Sequence, residues 1–338
     1  MRRPLLVLAV AAIALAAALC ANLSFGASPI PAAEIVRAIV HFDDANYDHY
    51  VVLFQRLPRA AIAAFVGAVM ACGGAVLQGL TRNPLAAPSI LGINAGATLF
   101  VVAGVILFDI SAGTQGIAAI AGGLFGFGSC LVVARLAGLS GDPRGLALIL
   151  SGAIVSMFYV GIANALLLAS PARRSDFMSW VTGNINHVYA DRLADFWWIA
   201  AVSLAGLMLL ARPLTLITLG AEKAASAGVN VAMVTRLALT AVVVSASAAV
   251  AVCGPVGFVG LIVPHMVRPF VGETFRFALP VNALAGATVC LVADLTARTA
   301  FAPHVLHTGL MMDLVGGGVF ALLVRRFYLV PASRSVAP

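Results

Sequence analysis

"FVGAVMACGGAVLQG", residues 65–79, contains no charged side chain and spaces Gly67, Ala71, Ala75 and Gly79 about one helical turn apart. In water this would be a poor surface helix, because it has no strongly polar face to turn outward. In lipid the same small-residue stripe lets neighbouring backbones approach closely, where van der Waals packing must replace the hydrophobic driving force. The segment lies inside an apolar run, residues 58–80, long enough to cross a bilayer core of about 30 Å. It reads as a central, protein-surrounded helix of a membrane bundle.

Further apolar runs lie on both sides, at 4–22, 90–108, 115–135, 145–169, 192–211, 236–253, 256–268, 278–297 and 306–324. Together they predict about ten crossings. The chain is 62% hydrophobic and 10% charged, against about 25% charge in an ordinary globular domain. That composition excludes a soluble fold and predicts an all-α integral membrane protein, with residues 1–338 as one transmembrane domain. The first run follows "MRRP" and ends without a clear small-residue cleavage site, so it reads as a retained anchor rather than a removed signal.

Lysine and arginine collect in cytoplasmic loops. With the N-terminus inside, the inner side holds Arg2, Arg3, Arg82, Arg135, Arg144, Arg212, Lys223, Arg236, Arg268, Arg276, Arg325, Arg326 and Arg334, and the C-terminus is also inside. The outer side keeps Arg37, Arg56, Arg59, Arg173, Arg174, Arg192 and Arg298 beside most of the acidic residues. The net charge of +7 thus follows topology, and no aromatic-interleaved basic patch points to nucleic acid. Cys20, Cys72, Cys130, Cys253 and Cys290 lie in or beside apolar runs without CxxC spacing. They read as small buried hydrophobes, with no metal site.

A weak internal repeat relates residues 56–84 to 236–264: each reads RL, then CG, then GL and a proline. Five crossings separate the copies, so they would be inverted, a device of transporters; chance similarity between glycine-rich helices is the other reading. Both copies end in expected helix breaks, at Asn83 and Pro84 in "TRNPLAAPSILG" (81–92) and at Pro264, His265 and Arg268 in "VPHMVRP" (263–269). Proline removes a backbone donor, and irregular backbone at membrane depth is tolerated only against protein or water. These breaks therefore mark an interface or a cavity. Residues 170–191 are polar, with Phe177, Met178, Trp180 and Val181 placed for a short amphipathic helix at the membrane surface. Residues 213–235 form the longest inner loop, where Gly220 and Gly228 flank the helix-favouring "AEKAASAG".

At this point the chain resembles the membrane subunit of a type II ABC importer, in the iron-siderophore, haem and cobalamin permease family. The resemblance rests on "RLPRAAIAAFVGA", "GAVLQGLTRNPLAAPSILGINAGA", "LGAEKAASAGV", "GFVGLIVPHMVR" and "LAGATVCLVADLTAR", which cover about residues 50–300 in the family's order. It implies ten helices per subunit, a second permease copy or paralogue, two cytoplasmic ATPase subunits and a periplasmic substrate-binding protein. It also implies that Leu219, Gly220, Glu222, Lys223, Ala225 and Gly228 form the segment that couples to the ATPase; a solvated connector is the alternative. Arg56, Arg59 and Arg298, on the side normally poor in arginine, suit bidentate docking of acidic side chains on the binding protein. The alternative is arginines snorkelling at the interface.

Asp294 is expected to pair with Arg298 one turn on. In "HVLHTGLMMDLVGGG" (304–318) the family more often carries a glutamate-proline lead-in to its last helix, and this sequence departs from it. There His304, His307 and Met311 sit at helical spacing that could contact haem or a metal, while His307, Met311 and Met312 are candidates for lining the pathway; the alternative is that they cap and pack the helix start. Asp313 is the harder residue to place. His265 reads as a hydrogen-bonded residue at a helix break. The chain has no GxxxxGK[ST] loop to cradle phosphate, so it is no enzyme: ATP and Mg belong to the partner, and this chain binds no cofactor. The expected cargo is a ferric siderophore or related iron chelate, with haem or cobalamin as alternatives. An ion-coupled secondary transporter would need intramembrane carboxylates at broken helices, and Asp313 alone offers that.

Overall fold

A computed structural model describes residues 2–26, 28–137, 146–171, 177, 180–301 and 306–324. His304, Met178, Arg144, Arg173, Arg174, Asp176, Arg325, Arg326 and Arg334 lie outside the described residues. The described elements are helical. In chain order they are α1 (Arg2–Ser24), α2 (Ala32–Val40), α3 (Leu57–Thr81), α4 (Ile93–Phe108), α5 (Ala112–Leu136), α6 (Leu146–Ala169), α7 (Ala190–Leu209), α8 (Ala211–Leu219), α9 (Ala221–Ser226), α10 (Val231–Cys253), α11 (Val259–Val271), α12 (Phe275–Thr299) and α13 (Thr308–Val324). Every run predicted to cross carries a helix. Among the described residues seven helices are long and apolar enough to cross a membrane, while α4, α11 and α13 are apolar but shorter. The protein is a multi-pass membrane protein.

The bundle is organised around α3, which packs against α12, α10 and α11. A helical turn at Tyr47–Tyr50 passes through a π-helical stretch, Val51–Arg56, into α3, making one 35-residue helix. Gly67 of the small-residue stripe and Gly74 beside it explain its central place. A methyl group at Gly67 would overlap the Gly286 carbonyl of α12, and one at Gly74 would overlap the Gly260 carbonyl of α11. Only hydrogen at these positions allows such crossings.

The two copies of the repeat differ at their CG pairs. Cys72 and Gly73 sit mid-helix, whereas α10 ends at Cys253 and Gly254 turns the chain with a φ of +82°. The helix breaks also divide. α3 ends at Thr81, Arg82 takes a left-handed conformation, and the Asn83 carboxamide oxygen accepts from Leu85 N at 2.9 Å, turning the chain at Pro84. By contrast α11 runs straight through Pro264, His265 and Arg268, and stops only at Gly272. The expected break at Pro264 is therefore corrected. Proline cannot donate to the carbonyl four residues back, here Gly260. Gln78 of α3 supplies the missing donor: its Nε2 lies 3.3 Å from Gly260 O and 3.1 Å from Leu261 O.

Gln78 is 1% exposed, so Gln78→Leu leaves an unpaired buried carbonyl and is expected to cost about 1–3 kcal/mol. Adding Pro264→Ala should restore much of that loss by returning an N–H to Gly260 O. Thermal unfolding in detergent measures both.

Residues around Trp180 also differ from expectation. Trp180 is buried at 3% exposure, its carbonyl accepts from Gly183 N at 3.0 Å, and it presses on Gly254. It plugs the end of α10 instead of resting on a membrane surface.

Candidate translocation and coupling sites

Three places carry functional groups. At the end of the bundle where α1 finishes and α3 starts, Asp294 is fully buried. Arg59 Nε stands 2.9 and 3.1 Å from its two oxygens, and Arg298 Nε stands 3.2 Å from Oδ2. Thr308 Oγ1 donates at 2.9 Å and Asn22 Nδ2 at 3.4 Å, so α1, α3, α12 and α13 meet on one carboxylate. Arg56 points elsewhere: it donates to the α1 carbonyls of Leu23 at 2.6 Å and Ser24 at 2.9 Å, and to Ser28 O. A cation there satisfies carbonyls that the helix end leaves open and complements its dipole.

Arg56 and Arg59 are 5% and 9% exposed, and the Arg298 side chain 11%. Sequence reasoning aimed these three guanidinium groups at a partner's acidic residues. The structure turns them inward. The acidic partner of Arg59 and Arg298 is Asp294 of the same chain, 235 residues from Arg59 in sequence.

At the opposite end, Gly220 adopts a φ of +142° and Gly228 of +83°, with α9 between them. Gly228 N donates to Ala225 O at 2.9 Å and Val229 N to Ala224 O at 3.0 Å. This paired closure needs a left-handed residue after the helix, which glycine takes without strain. Ala224 is buried, while Glu222, Lys223 and Ala225 face outward and Leu219 is 60% exposed. The preceding α8 buries Leu214 and Ile217 against the bundle. A rigid base thus carries a short, outward-facing helix with an exposed apolar corner. Nearby, a cleft of about 250 Å³ opens between Gln78 of α3, Arg82 just past its end, Thr218 of α8, Arg268 of α11 and Asn282 of α12.

The third place is a cavity of about 550 Å³ lined by Ser89 and Ile90 ahead of α4, by Asn94 of α4, and by Pro255, Gly257 and Phe258 of the link between α10 and α11. α13 gives it Leu310, Asp313 and Phe320. His307, Met311 and Met312, expected to line a pathway, are absent from this wall. Met312 is buried in the core at 2% exposure, and the His307 carbonyl accepts from Met311 N at 3.2 Å at the helix start. The chemistry of histidine and methionine suggested a lining face; the helix phase puts Leu310 and Asp313 there instead. Among the described residues no histidine, cysteine or carboxylate cluster could hold a metal.

A polytopic helical bundle with a cavity at the links between its helices and a glycine-flanked helix projecting at one end fits a membrane permease. Residues 14–326 match the model of the FecCD transport family, and the chain belongs to it. It is 34% identical over 308 residues to the Fe(3+)-citrate import system permease YfmD of Bacillus subtilis (strain 168), covering 90% of each chain. The Fe(3+) dicitrate transport system permease FecD of Escherichia coli (strain K12) is 35% identical over 326 residues, 93% of this chain and 97% of FecD. The cobalamin import system permease BtuC of Halobacterium salinarum is 35% identical over 302 residues, covering 89% and 80%. Among solved structures, an inward-facing metal-chelate type ABC transporter superposes with a TM-score of 0.77 at 27% identity, over 96% of this chain and all of that one.

Proposed function

We propose that this chain is the membrane subunit of an ATP-driven importer that moves a ferric siderophore or related iron chelate across a bacterial inner membrane. The observation that carries the reading is the family match across nearly the whole chain, with iron-chelate permeases among its relatives. In this reading α1, α3 to α7 and α10 to α13 make ten crossings, and both termini are cytoplasmic. The Asp294 end then faces the periplasm and α9 faces the cytosol. A second copy or paralogue completes the pathway, and a periplasmic binding protein delivers cargo. Two cytoplasmic ATPase subunits hold ATP and Mg, while this chain catalyses no reaction.

The exposed corner of Leu219, Glu222 and Ala225 suits a groove on the ATPase. Its glycine boundaries let it seat as a unit on the firm base of α8. The docking role of Arg56, Arg59 and Arg298 takes an indirect form: with so little surface, they shape the corner that a binding protein meets. Leu219→Asp combined with Ala225→Glu places carboxylates at the centre of the proposed ATPase contact. Recovery of the ATPase with the tagged permease should fall by about tenfold or more, with unchanged membrane insertion. Undiminished recovery would remove the coupling role from this helix.

A further inference from the structure

Among the described residues the cavity beside α4 and the α10–α11 link has one charged group in its wall, Asp313. It stands on α13 among exposed apolar neighbours, with Leu314 at 69% and Val315 at 50% exposure. Against hydrocarbon a carboxylate at that depth is costly, so such groups face water-filled cavities. Asp313 Oδ1 leans over Gly257, where an added methyl carbon would come within 2.6 Å of it. Among the described residues no salt bridge or hydrogen bond pairs this carboxylate. The Asn94 amide of the same wall donates through Nδ2 to Val256 O at 3.2 Å and brings no charge. The remaining wall is hydroxyl or apolar: Ser89, Thr182, Ile90, Phe258 and Leu261. Among the described residues the cavity wall thus sets no cation against this carboxylate, and low-dielectric walls focus the field of a charge placed between them.

We propose that Asp313 is the charge-selecting residue of the passage, favouring cationic and donor-bearing ferric chelates and holding back net-anionic ones. The proposal rests on the reading of this chain as a permease. A single acceptor without a fixed counter-charge biases what enters without trapping it. Arginine or lysine in its place would reverse the preference.

The test needs no knowledge of the natural cargo. Ser89→Cys is introduced into the full chain with Cys20→Ala, since Cys72, Cys130, Cys253 and Cys290 are buried. The introduced thiol is modified by a trimethylammonium-bearing and by a sulfonate-bearing methanethiosulfonate, in otherwise native chain and with Asp313→Asn. The ratio of cationic to anionic modification rates should fall by about tenfold when the carboxylate is neutralised. An unchanged ratio overturns the proposal, as does failure of both reagents to reach the thiol. In the complete importer, Asp313→Asn should also raise uptake of net-negative ferric citrate complexes relative to a net-positive, ammonium-bearing ferric trihydroxamate. If native importer carries neither chelate while the modification ratio still falls, the iron-chelate reading fails and the charge role of Asp313 stands.

Discussion

Replacing Asp294 by alanine is expected to cost the bundle roughly 3–5 kcal/mol, because it leaves Arg59 and Arg298 buried without their counter-charge. Four helices meet on that carboxylate through Arg59, Arg298, Thr308 and Asn22, so the loss should appear as a lower melting temperature and reduced recovery from the membrane. Replacing the ionic group as a whole should be much less harmful. Asp294→Leu with Arg59→Met and Arg298→Met removes the uncompensated charges together and should regain most of the stability. If Asp294→Ala folds as well as the native chain while binding-protein affinity falls, the arginines act on the partner directly and their inward role is wrong.

The second large effect belongs to Gly74. Its missing side chain lets α3 and α11 touch backbone to backbone, and a methyl group there would overlap the Gly260 carbonyl oxygen. Overpacking in a well-filled core typically costs about 1–3 kcal/mol, with larger values where nothing flexible can yield. Here the obstacle is a main-chain carbonyl, and Gly74→Ala should sit at or above the top of that range. Separating the helices would also pull Gln78 from Gly260 O and expose the proline gap in α11. Gly206→Ala in α7 is the control. A methyl there meets nothing within 4 Å, and in a helix interior alanine is favoured over glycine by about 1 kcal/mol. Detergent melting curves should therefore move in opposite directions for the two variants.

Much of this architecture was legible from residues. Each apolar run carries a helix, since a crossing segment must satisfy its backbone internally and carry few charges. The spacing of Gly67, Ala71, Ala75 and Gly79 marked α3 as central, and at Gly67 the reason is that a methyl group would overlap the Gly286 carbonyl of α12. Gly220 and Gly228 marked the ends of α9, because both adopt positive φ.

What escaped the sequence depended on distant partners. Pro264 carries a local signal to stop a helix, and the compensating donor, Gln78, lies 182 residues from Gly260. Charge bias along the chain assigns Arg56 and Arg59 to a side of the membrane and says nothing of whether they turn inward. An odd carboxylate near the last crossings, Asp294, was the available signal for their partner, yet it was matched only to its helical neighbour Arg298. On α13 the choice of His307, Met311 and Met312 followed side-chain chemistry, while the cavity face is fixed by how α13 rotates against α11 and α12. That rotation depends on contacts such as Gly316 against the Phe258 ring, which no local pattern reveals.

Uptake of radiolabelled ferric chelate into proteoliposomes is the most direct test. Vesicles containing this chain with its ATPase subunits, supplied with the binding protein outside and ATP inside, should accumulate the chelate. Accumulation should stop when ATP, the ATPase or the binding protein is withheld. Vesicles containing this chain alone that concentrate the chelate on an imposed ion gradient would contradict the account.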